Sequence, residues 1–189
     1  KQNQYGRDVL NILPTGEILM LNGQGSSPEG DRPFVSLLNL KTKQTKELWR
    51  SAAPYFERPV AVLDAAKQVI LTTRESPDEN PNYFVRNLKA RIAPIQVTFF
   101  PHPYPQLKGI QKQQLRYKRP DGVDLTATLY LPVGYKKEQG PLPTFLWAYP
   151  AEFKSKDAAG QVSGSPYQFN RISYWGAAAF VTMGYAILD

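Results

Sequence analysis

The sequence predicts a mixed β and α/β fold: about two blades of a β-propeller built from antiparallel strands, then the first strands and a helix of an α/β sheet. Three observations predict it. Strand signals recur at a spacing of roughly fifty residues through residues 1–100, the length of one propeller blade. A proline-rich stretch, PHPYPQL at 101–107, interrupts them, and it suits neither a central strand nor a helix interior. Beyond it the pattern changes to an alternating hairpin and then to continuous apolar strands flanking a helical segment.

In chain order, residues 17–21 read as a short apolar strand, 22–32 as a loop, 34–40 as a strand, 41–44 as a turn and 45–49 as a strand. A further strand at 59–63 turns through 64–67 into a second copy of the same order. That copy comprises a strand at 68–72, a loop rich in Glu, Asp, Asn and Pro at 74–82, a strand at 83–88, a charged turn, and a strand at 95–99. Two blades cannot close a propeller, and an ordinary antiparallel sandwich or meander would produce the same strand signals. After the linker, 113–118 reads as a strand, Pro120-Asp121-Gly122 as a turn, and 124–131 as a strand with Leu125, Ala127, Leu129 and Leu131 on one face. The nearly all-apolar run 144–149 is expected as a strand covered on both faces of a parallel sheet. Ser173 can cap a helix running through Trp175, Ala178, Ala179 and Phe180 to Met183, with Gly184 as its stop and 185–188 as the next buried strand.

Composition narrows the classes of function. With 42% hydrophobic and 12% aromatic residues the chain can build a core, and its 17 prolines and 13 glycines favour short strands over long helices. The net charge of +7 is spread, with 13 cations against 10 acids in residues 1–100 and 10 against 6 in 101–189. Lys108, Lys112, Arg116, Lys118 and Arg119 are spaced through linker and strand as on a solvated face, so no nucleic-acid partner is expected. There are no cysteines, which excludes disulfides and thiolate catalysis. His102 is the only histidine and sits in the proline linker, where packing is the expected role, so no metal or cofactor is implied. No stretch approaches the ~20 apolar residues of a membrane span. Oligomeric state is not legible.

Chemistry should lie at the carboxyl edge of the strand at 144–149, which delivers Tyr149 to the start of a long basic loop. An α/β-hydrolase reading requires a G-x-S-x-G elbow followed by an acid and a histidine. Ser26, Ser27, Ser163 and Ser165 lack the flanking glycines, and His102 lies upstream, so this polypeptide by itself cannot run serine-histidine-acid chemistry. Gly23-Gln24-Gly25 has Pro28 at the third glycine position and is no phosphate cradle.

The stretches SPEGDRPF (27–34), LWRSAAPYFE (48–57), TRESPDENPNYF (73–84), FPHPYPQLKGIQKQQLRYKRPDGVDLTATLYLPVGY (100–135) and WAYPAEFKSKDAAGQVSGSP (147–166) closely resemble the glutamyl endopeptidase branch of the prolyl oligopeptidase family of serine peptidases. The resemblance implies a larger enzyme in which an N-terminal β-propeller accompanies a C-terminal α/β-hydrolase domain. On that basis 1–100 would be the last blades, 101–110 the linker and 111–189 the incomplete start of the catalytic domain. The serine, aspartate and histidine would follow Asp189. The implied partners are a peptide substrate and the rest of the same polypeptide, and the implied setting is periplasmic or secreted in a bacterium, with cytoplasmic as the alternative.

The resemblance also implies that Tyr149 matches the tyrosine whose hydroxyl stabilises the oxyanion, although Pro150, Ala151 and Glu152 follow where small residues are usual. Structural hydrogen bonding at a strand end is the other reading. Cleavage after glutamate requires a cation to pair the desolvated carboxylate. Lys154, Lys156 and Arg171 are candidates by proximity in sequence, and Arg74 is one from the propeller side. Lys154 and Lys156 could equally pair with Glu152 and Asp157 as a surface cluster. Two other classes stay open: a noncatalytic β-rich binding or structural module, and an esterase of α/β-hydrolase type.

Overall fold

Short strands joined by turns with their own side-chain hydrogen bonds make up most of the chain, as its proline and glycine content requires. The computed structural model describes residues 2–90, 92–148 and 163–189. β1 (Glu17–Asn22) leads through a small hairpin, β2 (Ser26–Ser27) and β3 (Gly30–Asp31), to β4 (Phe34–Asn39) and β5 (Thr45–Arg50). Then follow β6 (Phe56–Asp64), β7 (Val69–Glu75), β8 (Asn82–Asn87) and β9 (Ile95–Gln96). The chain divides into two units, the first made of the residues up to Gly25, Arg32–Arg74 and Pro81–Phe99. The second gathers Ser26–Asp31, Glu75–Asn80 and Phe100–Asp189.

Unit 1 holds two sheets whose strand order follows the chain, β1-β4-β5 and β6-β7-β8-β9. An isolated bridge, Ile12 to Ile18, adds a further rung beside β1. The repeat extends to turn chemistry. Asn39 Oδ1 accepts the N–H groups of Lys41 and Thr42 after β4, and Asn87 Oδ1 accepts those of Lys89 and Ala90 after β8. Both are Asn-Leu-Lys sequences closing the same Asx turn. The expected strand at 95–99 is shorter, ending at Gln96, and it lies at the outer edge of its sheet.

The inner face of the second sheet is polar at its centre. Glu57, 3% exposed, accepts two hydrogen bonds from Arg86, Nη2 to Oε2 at 2.6 Å and Nε to Oε1 at 3.0 Å. Thr72 Oγ1 donates to the same carboxylate at 2.7 Å, and Ser51 Oγ accepts the Glu57 N–H. Arg86 also lies over the Trp49 ring at 4.9 Å. Fork geometry and a hydroxyl donor together satisfy both carboxylate oxygens, which is the condition for burying such a pair without net loss.

In unit 2, β10 (Gln111–Lys118) and β11 (Asp124–Leu131) form an antiparallel hairpin in register from Gln111↔Leu131 to Lys118↔Asp124. β12 (Thr144–Leu146) and β13 (Ala186–Leu188) run parallel, giving the sheet order β10-β11-β13-β12. Leu107, Ile110, Ala177, Val181 and Ile187 form the core against this sheet, with Tyr104, Tyr130, Ile172 and Tyr185 packed around them.

Two expectations need correction here. The strand at 144–149 is a strand only over Thr144–Leu146, and it is exposed, with Leu146 at 72%, because it occupies the sheet edge and pairs on one side. The helix from Ser173 is absent. Residues 173–176 close a turn through the Gly176 N–H to the Ser173 carbonyl, and a six-residue 3-10 helix spans Ala178–Met183. The preceding Ser-Tyr-Trp-Gly run is poor in helix propensity, whereas Gly184 does stop the helix in the left-handed conformation at φ 88°. Among the described residues, helix occurs only as three short 3-10 segments, Pro105–Leu107, Lys137–Gln139 and Ala178–Met183. None is long and apolar enough to cross a membrane.

Replacing Arg86 with Met strands a buried carboxylate and should cost about 3–5 kcal/mol, whereas combining it with Glu57→Leu should recover most of that loss. Urea denaturation of the two variants checks this, and equal destabilisation of single and double variants would contradict it.

Candidate functional site

The parallel pairing of β12 with β13 sets Leu146 beside Leu188. The Trp147 N–H donates to the Leu188 carbonyl at 2.8 Å, and Asp189 exchanges backbone hydrogen bonds with Thr128. A cavity of about 460 Å³ opens there, lined by Tyr117, Thr126, Trp147, Ala148, Ser163 and Asp189 among others. A second, of about 220 Å³, is lined by Lys112, Gln114, Tyr130, Ser165, Gln168 and Asp189 among others. The carboxyl edge of parallel strands is where open α/β sheets bind ligands, because loops diverge there and leave a crevice.

Its electrostatics are set by burial. The Lys112 amine donates to the Gln168 carbonyl at 3.1 Å and lies 5.6 Å from the Tyr130 ring centroid. Burial lowers its pKa to about 8, against an opposing pull from Glu75, with Arg171 lowering it further. Burial also pushes the Tyr130 phenol up to about 12 and raises the Asp189 carboxyl, the latter opposed by Lys112.

The loop at 163–171 is held by acids from the two short segments of unit 2. The Asp31 N–H donates to the Gly164 carbonyl at 2.8 Å, and the Gly164 N–H donates to Asp31 Oδ2 at 3.0 Å. Gly30 permits that approach, because at φ +103° its missing Cβ would lie 2.6 Å from the Gly164 oxygen. Glu75 Oε1 accepts the Phe169 N–H, and its Oε2 pairs with Arg171 Nη2 at 2.7 Å. The Pro77 carbonyl accepts the Asn170 N–H at 3.2 Å.

Of the residues singled out from sequence, Tyr149, Lys154 and Lys156 lie outside the described residues. Arg171 is half-exposed and paired with Glu75. Arg74, in unit 1, stacks over Phe84 at 3.9 Å and Tyr55 at 4.3 Å. His102 packs edge-on against Phe169 at 4.7 Å, and its Nδ1 accepts the Tyr104 N–H. Among the described residues no cluster of His, Asp and Glu could hold a metal. Sequence reasoning passed over Asp31 and Glu75, and it placed Lys112 on a solvated face, whereas the Lys112 amine is largely buried against the Gln168 carbonyl. The available signal was an acid placed just inside each proline-bearing loop, in Gly30-Asp31 and Arg74-Glu75.

The chain is mostly β, and solved peptidases share its fold. AtxE2 isopeptidase shares it at a TM-score of 0.54 and 15% identity, covering 93% of this chain and 24% of that one. Oligopeptidase B from Trypanosoma brucei does so at 0.52 and 16%, covering 96% of this chain and 24% of that one. No family model matches the chain. Relatives named "Probable glutamyl endopeptidase, chloroplastic" are similar over nearly its whole length. The one from Oryza sativa subsp. japonica is 46% identical over 181 residues, and the one from Arabidopsis thaliana 45% over 184, covering 90% and 92% of this chain. The chain thus resembles a segment of the glutamyl endopeptidase branch of the prolyl oligopeptidase family, and it spans 19% of the length of these relatives.

Because the folded Lys112 amine releases its proton near pH 8 while an unfolded lysine holds it to about 10.4, the unfolded state binds more protons between those values. Stability therefore rises with pH through that window, the burial penalty being fully present below it. The contribution should vanish in Lys112→Met. Melting temperatures at pH 8, 9 and 10 report it, and an identical pH slope in the variant would refute the assignment.

Proposed function

We propose that this chain is a segment of a serine peptidase of the prolyl oligopeptidase type that hydrolyses peptide bonds after glutamate or another acidic residue. The observation that carries the reading is 46% identity, over 90% of the chain, to a relative named as a glutamyl endopeptidase. In this reading residues 1–100 are the last blades of a β-propeller, 101–110 the linker, and 111–189 the opening of an α/β-hydrolase catalytic domain. The nucleophilic serine, its acid and its histidine are supplied by sequence beyond Asp189 in the full-length protein, within a G-x-S-x-G elbow and the Asp and His that follow it.

Two features support the assignment of the catalytic edge. β12 and β13 are parallel, and a cavity of about 460 Å³ opens beside Trp147 and Ala148, which follow β12. Tyr149 follows Trp147 and Ala148 by sequence alone, so its hydroxyl is assigned as oxyanion donor by family position. The serine attacks the scissile carbonyl, histidine accepts the serine proton and returns it to the leaving amine, and Tyr149 donates a hydrogen bond to the oxygen that becomes anionic.

In the full-length protein, Tyr149→Phe should lower kcat by about 10²–10³ with KM little altered. A serine-directed phosphonate should label the full-length protein and not the 189-residue chain. Unchanged kcat in the variant would remove Tyr149 from the oxyanion site. Failure of the full-length protein to take up the phosphonate, or labelling of the short chain, would overturn the peptidase assignment itself.

A further inference from the structure

Asn22 closes β1, and it is the one asparagine of the chain that a glycine follows. Its main chain forms the last rung to β4, opposite Phe34, whereas Gly23, Gln24 and Gly25 lie outside any strand. Asn22 is half-buried and Gly23 is exposed. Among the described residues, neither the Asn22 side chain nor the Gly23 N–H has a hydrogen-bond partner. Backbone geometry does not require the glycine at 23. Its φ is not left-handed, and a Cβ there would meet only the Arg58 stem, Cδ at 3.7 Å and Cγ at 3.8 Å, which is ordinary contact. Gly25 is the position that must be glycine, since its φ is +61° and a Cβ would collide with the Arg32 carbonyl.

The main-chain nitrogen after an asparagine can attack the side-chain carbonyl carbon and close a succinimide ring, and a side chain on that next residue is what obstructs it. Gly23 has none. Bringing its nitrogen over Asn22 Cγ turns the Asn22 carbonyl, which costs no more than the rung to Phe34 at the fraying end of the ladder. A bond forms between Gly23 N and Asn22 Cγ while the Cγ–Nδ2 bond breaks. The nitrogen's proton passes through solvent to Nδ2, which leaves as ammonia. Water then opens the ring at Cγ to give aspartate, or at the main-chain carbonyl to give isoaspartate, whose chain runs through Cβ and Cγ. The other acid-or-amide pair before glycine, Asp121-Gly122, is guarded. Arg119 bonds both Asp121 oxygens and so holds a carboxylate anion, a poor electrophile, and the Gly122 N–H is committed to the Arg119 carbonyl at 2.8 Å. Asn80 precedes Pro81, which has no N–H to attack with.

We propose that Asn22 is a site of spontaneous covalent modification, deamidating through a succinimide to aspartate and isoaspartate. Each event replaces a neutral amide with a carboxylate, and the isoaspartyl form lengthens the main-chain connection from β1 to the β2–β3 hairpin. The deciding experiment ages the full-length protein at neutral and at mildly alkaline pH. Peptide mapping by mass spectrometry then follows each asparagine, with isoaspartate resolved from aspartate by chromatography. Asn22 should convert ahead of every other asparagine and ahead of isomerisation at Asp121, with isoaspartate among the products and a rate that rises with hydroxide concentration. Gly23→Ala, which the space beside Arg58 accommodates, should lose most of the conversion, and Asn22→Gln should lose it altogether. An Asn22 that keeps its amide while another asparagine converts, or a Gly23→Ala variant that converts at the wild-type rate, overturns the proposal. A parallel sample unfolded in urea needs no variant to fold: conversion confined to that sample would show that the native strand end holds Gly23 away from Asn22, and would overturn it as well.

Discussion

The Glu57 carboxylate governs how the strands of the second sheet can pair. It is 3% exposed and takes its donors from Thr72 on β7 and Arg86 on β8. A slip of one residue in either strand would turn the donor to the opposite face and leave a buried anion uncompensated, which costs far more than any single rung of backbone pairing. Register is thus specified electrostatically as well as by apolar contact. Arg74 inherits its orientation from this, being two residues along β7 from Thr72 on the same face.

Acids also organise unit 2, by hydrogen bonding to backbone. Asp31 and Glu75 each accept an N–H from the segment 163–171, and the Asp31 main chain adds a donor. Loop backbone has no ladder of its own, so an acceptor brought from another segment satisfies groups that would otherwise stay unpaired. Glu75 does this while also pairing with Arg171 through a carboxylate only 10% exposed. The loop is therefore held by contacts between residues some 94–133 positions apart in sequence, and no local pattern encodes them.

What was legible follows from the range of the interaction involved. The strand at Asp124–Leu131 was readable to the residue, because period-two alternation is a local consequence of one buried face. The fifty-residue repetition of strands was readable for the same reason, and Asn39 and Asn87 carry its turn chemistry. The run at 144–149 misled because continuous apolarity signals burial on both faces, whereas the described part of that strand lies exposed at a sheet edge. The helix from Ser173 misled because a capping serine outweighed the Tyr-Trp-Gly run behind it. Glu57 pairing with Arg86, 29 residues away, has no sequence signature at all.

Cations in this chain are best ranked by what already satisfies them. A net charge of +7 says little by itself, since several of the positive groups are already paired. Arg50 bonds Glu47, Arg86 bonds Glu57, Arg119 bonds Asp121 and Arg171 bonds Glu75. Lys112 has no paired carboxylate among the described residues, and its amine is directed at the Gln168 carbonyl oxygen. Arg74 differs from all of these. Two rings hold it, a cation–π arrangement that stabilises the sheet without consuming a donor. A lysine in its place would lose the planar face that stacks on them.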